Sequence, residues 1–132
     1  MSDLIRVAVC DDARAVKLFL RHVLEEEGDI EVVSSTSTGQ AALEELADQR
    51  ADVLLLDLVL PDVPDPKELV RKLRERSPQT AIVLISNMPA FRLEEEAQRL
   101  GAEGWTTKAH KPHELRDAVR RVATPAADQP DG

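Results

Sequence analysis

Two apolar rhythms alternate along the chain. Short β-rich runs fall at Leu4–Cys10, Ile30–Ser35, Val53–Asp57, Thr80–Ile85 and Glu103–Thr107. Between them apolar residues return every three or four positions, the spacing of a helix with one buried face. Helices are predicted over Ala13–Glu27 (Val16, Leu20, Val23 and Leu24 inward), Gly39–Arg50 (Ala42, Leu43, Leu46 and Ala47), Lys67–Arg76 (Leu69, Val70 and Leu73), Pro89–Leu100 and Pro112–Val122 (Leu115, Ala118, Val119 and Val122). Punctuation agrees with these limits: Gly28 suits a helix stop, Thr38 a helix cap, Ser77-Pro78 an end, and Pro89 and Pro112 first turns. Leu58 to Pro66 holds three prolines and two further acids, and reads as an ordered loop.

Strand and helix thus alternate five times. The pattern predicts an α/β fold with right-handed crossovers and a five-stranded parallel sheet covered on both faces. The leading topology is the flavodoxin-like, doubly wound arrangement with strand order 2-1-3-4-5. One domain over residues 1–123 accounts for the patterned sequence. Residues 124–132 hold no large apolar side chain and are expected to be a disordered tail or the start of a linker.

Val53–Leu56 is apolar without a break, as in a strand buried on both faces, and it ends on Asp57. A carboxylate belongs there only if the strand stops at it, at the carboxyl edge where open α/β sheets carry their chemistry. The other strands end in the same manner, the first on Asp11 and Asp12, the fourth on Ser86, the fifth on Lys108. Three clustered carboxylates repel one another unless a cation joins them. With oxygen ligands throughout, that cation is a hard divalent ion, and Mg²⁺ suits few carboxylates plus water. Metal, ammonium and hydroxyl together match the needs of a phosphoryl group in transfer. One carboxylate is then the nucleophile, and Asp57, on the central strand, is the best candidate.

This ordered set, with the run Gly101-Ala-Glu-Gly-Trp-Thr-Thr-Lys108, resembles the receiver domains of two-component response regulators over nearly the whole chain. The resemblance implies that Asp57 accepts a phosphoryl group from a sensor histidine kinase. It implies Mg²⁺ held by Asp12, Asp57 and the backbone carbonyl of Val59, with Asp11 acting partly through water. It further implies an ion pair from Lys108 to the phosphate, a hydrogen bond from Ser86, and a switch in which Ser86 and Trp105 move together. Such a protein catalyses only its own phosphorylation and dephosphorylation. Its partners would be the kinase and either a downstream protein or an output domain not seen here, with a phosphorylation-dependent homodimer left open. Three features depart from the family pattern. The loop after Asp57 lacks the usual Asp-Gly pair, Trp105 stands where Tyr or Phe is usual, and Ala109 follows the lysine.

Composition narrows the field further. The net charge of −8 in 132 residues argues against direct, non-specific binding to nucleic acid. A single cysteine, Cys10, excludes an internal disulfide and suits a small core residue. No apolar run is long enough to span a bilayer, so no membrane role is expected, and a cytoplasmic location is the default. Two other functions compete. A degenerate receiver would serve as a constitutive interaction domain. An aspartyl-nucleophile phosphohydrolase needs a second acid two residues after the nucleophile, and that position is Val59.

Overall fold

A computed structural model describes residues 4–108 and 111–123. Ten elements alternate: β1 Ile5–Cys10, α1 Arg14–Glu25, β2 Ile30–Thr36, α2 Gly39–Asp48, β3 Val53–Asp57, α3 Pro66–Arg76, β4 Ala81–Ser86, α4 Ala90–Leu100, β5 Gly104–Thr107 and α5 Pro112–Val122. The strands form one sheet in the order β2-β1-β3-β4-β5, and every neighbouring pair is parallel. This is the flavodoxin-like doubly wound arrangement. The predicted tail, residues 124–132, lies outside the described residues.

Side chains on a strand alternate between faces, and here the alternation divides the core in two. Ala8, Cys10, Leu54, Leu56, Ile82 and Leu84 join α2, α3 and α4 on one face. Val7, Val9, Val53, Leu55, Val83 and Ile85 join α1 and α5 on the other. β3 is buried at every position, which is why its sequence is apolar without alternation.

Several ends are fixed by side chains. Thr38 caps α2 by accepting from the Ala41 N–H, and Asp65 caps α3 at Lys67 with Pro66 in the first turn. α1 is shorter than its pattern predicts. It ends at Glu25 because the chain tightens there, with Glu26 N–H turning back to the Val23 carbonyl, and Gly28 then takes a positive φ of 82°. In α2 the buried stripe is Gly39, Ala42, Leu43 and Leu46. The predicted fourth member, Ala47, is exposed, one residue beyond the face that meets the sheet.

α5 carries a buried cation that the apolar pattern does not announce. Arg116 is 7% exposed. Its guanidinium donates to the Val23 carbonyl at 3.2 Å and pairs with Glu26 and Glu27, while Arg120 pairs with Glu27 and Asp29. Two arginines of α5 thereby hold the C-terminal end of α1. Among the described residues no helix is long and apolar enough to cross a membrane.

Candidate functional site

The same alternation that divides the core assembles the site. On β1 the residues facing α1 and α5 are Val7 and Val9, and the next in that series is Asp11. On β3 they are Val53 and Leu55, followed by Asp57. Residue 106 of β5 shares that parity with Lys108. The strands are parallel and end together, so the three polar residues converge at one edge of the sheet. Carboxylate oxygens of Asp11, Asp12 and Asp57 lie within 4.8 Å of one another. The Lys108 ammonium is 2.8 Å from Asp11 Oδ2 and 3.4 Å from Asp57 Oδ2.

Asp11 serves the fold and the site with different oxygens. Its Oδ1 accepts from Ala13 N–H at 2.8 Å, satisfying one of the orphan donors at the start of α1. Its Oδ2 is buried and accepts no directed hydrogen bond among the described residues, leaving the ion pair with Lys108 as its compensation. One side chain thus braces the chain entering α1 and lies in the acidic cluster. Asp12 is exposed at the mouth.

Asp57 is 5% exposed and accepts from the Val59 N–H at 3.2 Å. Burial raises its pKa above the usual aspartate range, and the charge of Asp11 pushes the same way. The Val59 N–H and Lys108 oppose both without cancelling them. Burial on its own would lower the pKa of Lys108. The close ion pair with Asp11 and the charge of Asp57 outweigh it, so the ammonium is held above its ordinary value and stays charged. Cys10, just below the site, has its thiol pushed up to about 11 by burial and is a core residue, not a nucleophile.

Ser86 and Trp105 belong to the opposite parity. Ser86 continues the series Ile82 and Leu84 toward the α4 side, and its Oγ accepts from Met88 N–H at 3.2 Å. Trp105 is half-buried and packs against the α2–α3–α4 core. Backbone register links the two: Ser86 pairs with Thr107, and Lys108 N–H donates to the Ser86 carbonyl at 2.9 Å. The side chain of Val59 is 70% exposed beside the acids.

The residues present fit a divalent cation. Their donors are all carboxylate oxygens, one of them buried without a hydrogen bond. Those oxygens lie within 4.8 Å of one another, close enough for one hard cation to draw them together.

One participant escapes sequence reasoning. Asp62, in the loop after Asp57, accepts from both Gly39 N–H (2.9 Å) and Gln40 N–H (3.1 Å), pinning that loop to the start of α2. The loop's two acids were visible in the sequence, but no local pattern names a target 23 residues upstream.

Comparison with known proteins gives a consistent picture. The family model described as response regulator receiver domain matches residues 7–120. A protein-glutamate methylesterase/protein-glutamine glutaminase of Rhodospirillum centenum is 33% identical over 119 residues, covering 89% of this chain and 30% of that protein. The transcriptional activator ExaE of Pseudomonas putida is 30% identical over 116 residues, covering 88% of this chain and 54% of the relative. The chain thus spans about half, or less, of the curated relatives it matches. Among solved structures, the signal receiver domain of a NarL response regulator from Mycobacterium tuberculosis superposes with a TM-score of 0.83 at 28% identity, over 93% of this chain and 98% of that one. A chain from the complex of the P1 domain of CheA3 with CheY6 of R. sphaeroides gives 0.81 at 27% identity, over 94% and 100%.

Proposed function

This chain belongs to the response regulator receiver domains, and we propose that it is a phosphate-accepting member, with Asp57 as the phosphoryl acceptor and a sensor histidine kinase as donor. One observation carries the proposal: Asp11, Asp12 and Asp57 present oxygens within 4.8 Å of one another, with the Lys108 ammonium against Asp11 and Asp57. A degenerate receiver has no use for such a cluster, because assembling like charges is unfavourable.

Asp12, Asp57 and the Val59 carbonyl would hold Mg²⁺ directly, with Asp11 acting partly through water. Bound there, the ion supplies charge neutralisation for the carboxylates and for the incoming phosphoryl oxygens. A carboxylate oxygen of Asp57 attacks phosphorus as the P–N bond to the donor imidazole breaks. The imidazole nitrogen keeps the electron pair and takes up a proton, and Asp57 becomes an acyl phosphate. Lys108, already charged, turns from the carboxylates to a phosphoryl oxygen. Ser86, whose oxygen is occupied as an acceptor by Met88 N–H, has its O–H to donate to a second.

The modification adds about −1.5 to −2 charges and three acceptor oxygens. Drawing Ser86 and Lys108 toward them pulls the ends of β4 and β5, which share backbone register. Trp105 lies on β5 two residues before Ser86's register partner and packs toward α4, so the readout face is α4, β5 and α5. A downstream protein or an output domain reads that face.

Acetyl phosphate with Mg²⁺ should add one phosphoryl mass to the wild-type protein. Asp57→Asn should take up none, and undiminished labelling of that variant would remove Asp57 as the acceptor.

A further inference from the structure

The loop that follows Asp57 must place the Val59 carbonyl at the metal site, yet it lacks the Asp-Gly pair usual in the family. What fixes the loop instead is visible in its contacts. Leu58 and Leu60 are buried, anchoring the backbone on either side of Val59. Beyond them, both carboxylate oxygens of Asp62 are spent on the first N–H groups of α2, those of Gly39 and Gln40. These are donors that a helix leaves unpaired and whose partial positive charge favours an anion. The Gly39 hydrogen bond is the main cause holding the Asp62 carboxyl below the ordinary range, so the group is ionised at neutral pH.

Packing supports the same attachment. Val63 lies so close to Gly39 that a Cβ added there would fall 2.6 Å from Val63 Cγ2 and 3.1 Å from Leu69 Cδ2. The absence of a side chain at Gly39 is what lets the loop come down on the helix. The start of α2 is itself tied to β1, through Cys10 Sγ to the Thr38 carbonyl at 3.3 Å. From the buried strand below Asp11, a continuous set of contacts runs through α2 and Asp62 to the loop that carries Val59.

We propose that Asp62 is a positioning residue for the metal site: by clamping the loop after Asp57 to the N-terminus of α2, it holds the Val59 backbone in register with Asp57 and Asp12. This inference rests on the assignment of Mg²⁺ to the site, and it assigns Asp62 no contact with the metal. Clamping lowers the number of loop conformations that must be discarded when the ion binds, which is how partners outside the ligand sphere tune affinity.

The control is built into the same helix. Thr38 also caps α2, its hydroxyl accepting from Ala41 N–H at 3.1 Å, and replacing that side chain leaves in place the Thr38 carbonyl that Cys10 meets and the Gly39 and Gln40 N–H groups that Asp62 holds. Mg²⁺ affinity should be measured by calorimetry for wild type, Asp62→Ala, Asp62→Asn and Thr38→Ala, with thermal melts alongside. Asp62→Ala is expected to weaken Mg²⁺ by about tenfold. Thr38→Ala should lower the melting temperature comparably and leave the affinity at the wild-type value. Asp62→Asn, which keeps one oxygen acceptor, should recover part of the loss. In hydrogen exchange, the Val59 amide should lose protection in Asp62→Ala and keep it in Thr38→Ala. Equal Mg²⁺ affinity in Asp62→Ala and Thr38→Ala would overturn the positioning role. Absence of Mg²⁺ binding by the wild-type protein would instead overturn the metal assignment beneath it.

Discussion

The Lys108 ammonium sits 2.8 Å from Asp11 Oδ2, closer than to the proposed acceptor Asp57 at 3.4 Å. Asp11 has no exposed surface. Before any ion or phosphoryl group arrives, the lysine is the charge that makes a buried carboxylate tolerable. In the proposed function it takes two partners in sequence, first Asp11 and then a phosphoryl oxygen.

Lys108→Ala should therefore lose stability as well as switching. Removing one member of a buried ion pair costs up to about 3–5 kcal/mol. The Lys108 side chain is 17% exposed, so water can reach the gap, and about 1–3 kcal/mol is expected. Millimolar Mg²⁺ should restore most of that loss, because a divalent ion compensates the same oxygens. Urea titrations with and without Mg²⁺ measure both quantities. A deficit that Mg²⁺ leaves untouched would mean that the lysine does not neutralise Asp11.

Asp57→Asn should be more stable than wild type at neutral pH without divalent ions. The pKa of Asp57 is raised in the folded protein, chiefly by burial. Its protonated form is thus favoured by folding, and that contribution is fully present below the unfolded-state pKa. It is lost as pH rises through the folded-state value. The two proteins should match in acid and diverge from the ordinary aspartate range upward, with wild type the weaker. Mg²⁺ should close the gap from the wild-type side. Melting curves from pH 3 to 8 would show it, and a gap of constant size across that range would exclude the burial argument.

The chain has one tryptophan, so its fluorescence reports Trp105 alone. Phosphorylation should change the emission, since the ring packs on the α4 side beside the ends of β4 and β5. Ser86→Ala removes the hydroxyl that would draw the β4 end toward the phosphate. That variant should still incorporate phosphate at Asp57 but give a smaller change. An unaltered change in Ser86→Ala would break the proposed link between the two.

How much of this was legible follows from the range of each signal. β3 could be read from Val53–Leu56 because burial on both faces leaves nothing to alternate. The edge cluster was legible because period-two alternation and parallel strands carry Asp11, Asp57 and Lys108 to one place once the topology is guessed. Ala47 lies outside the buried stripe because a helix pattern fixes that stripe only to within a residue at the margin. Asp62 and Arg116 were invisible for another reason. Each is an ordinary polar residue in its own neighbourhood, and its role lies in partners 23 and 93 residues away. Sequence periodicity reports which face is buried, and a charged residue enters that face only when a distant partner meets it.

Arg116 provides the last test, because its partners differ in exposure. Its guanidinium is nearly enclosed, donating to the buried Val23 carbonyl, while Glu26 and Glu27 stand half in water. The two glutamates lose little when the arginine is removed, since water resolvates them. The Val23 carbonyl, at the end of α1, also accepts from Glu26 N–H, so it keeps one partner when the arginine is removed. The larger losses are that one hydrogen bond and the packing of the arginine stem between α1 and α5. Arg116→Met keeps the stem and should cost about 1 kcal/mol. Arg116→Ala loses both and should cost about 2–3 kcal/mol. Raising the salt concentration should barely alter either difference, because the interactions lost are shielded from ions. Equal losses in the two variants, or losses that vanish in 1 M salt, would show that the surface ion pairs and not the buried stem hold α5 to α1.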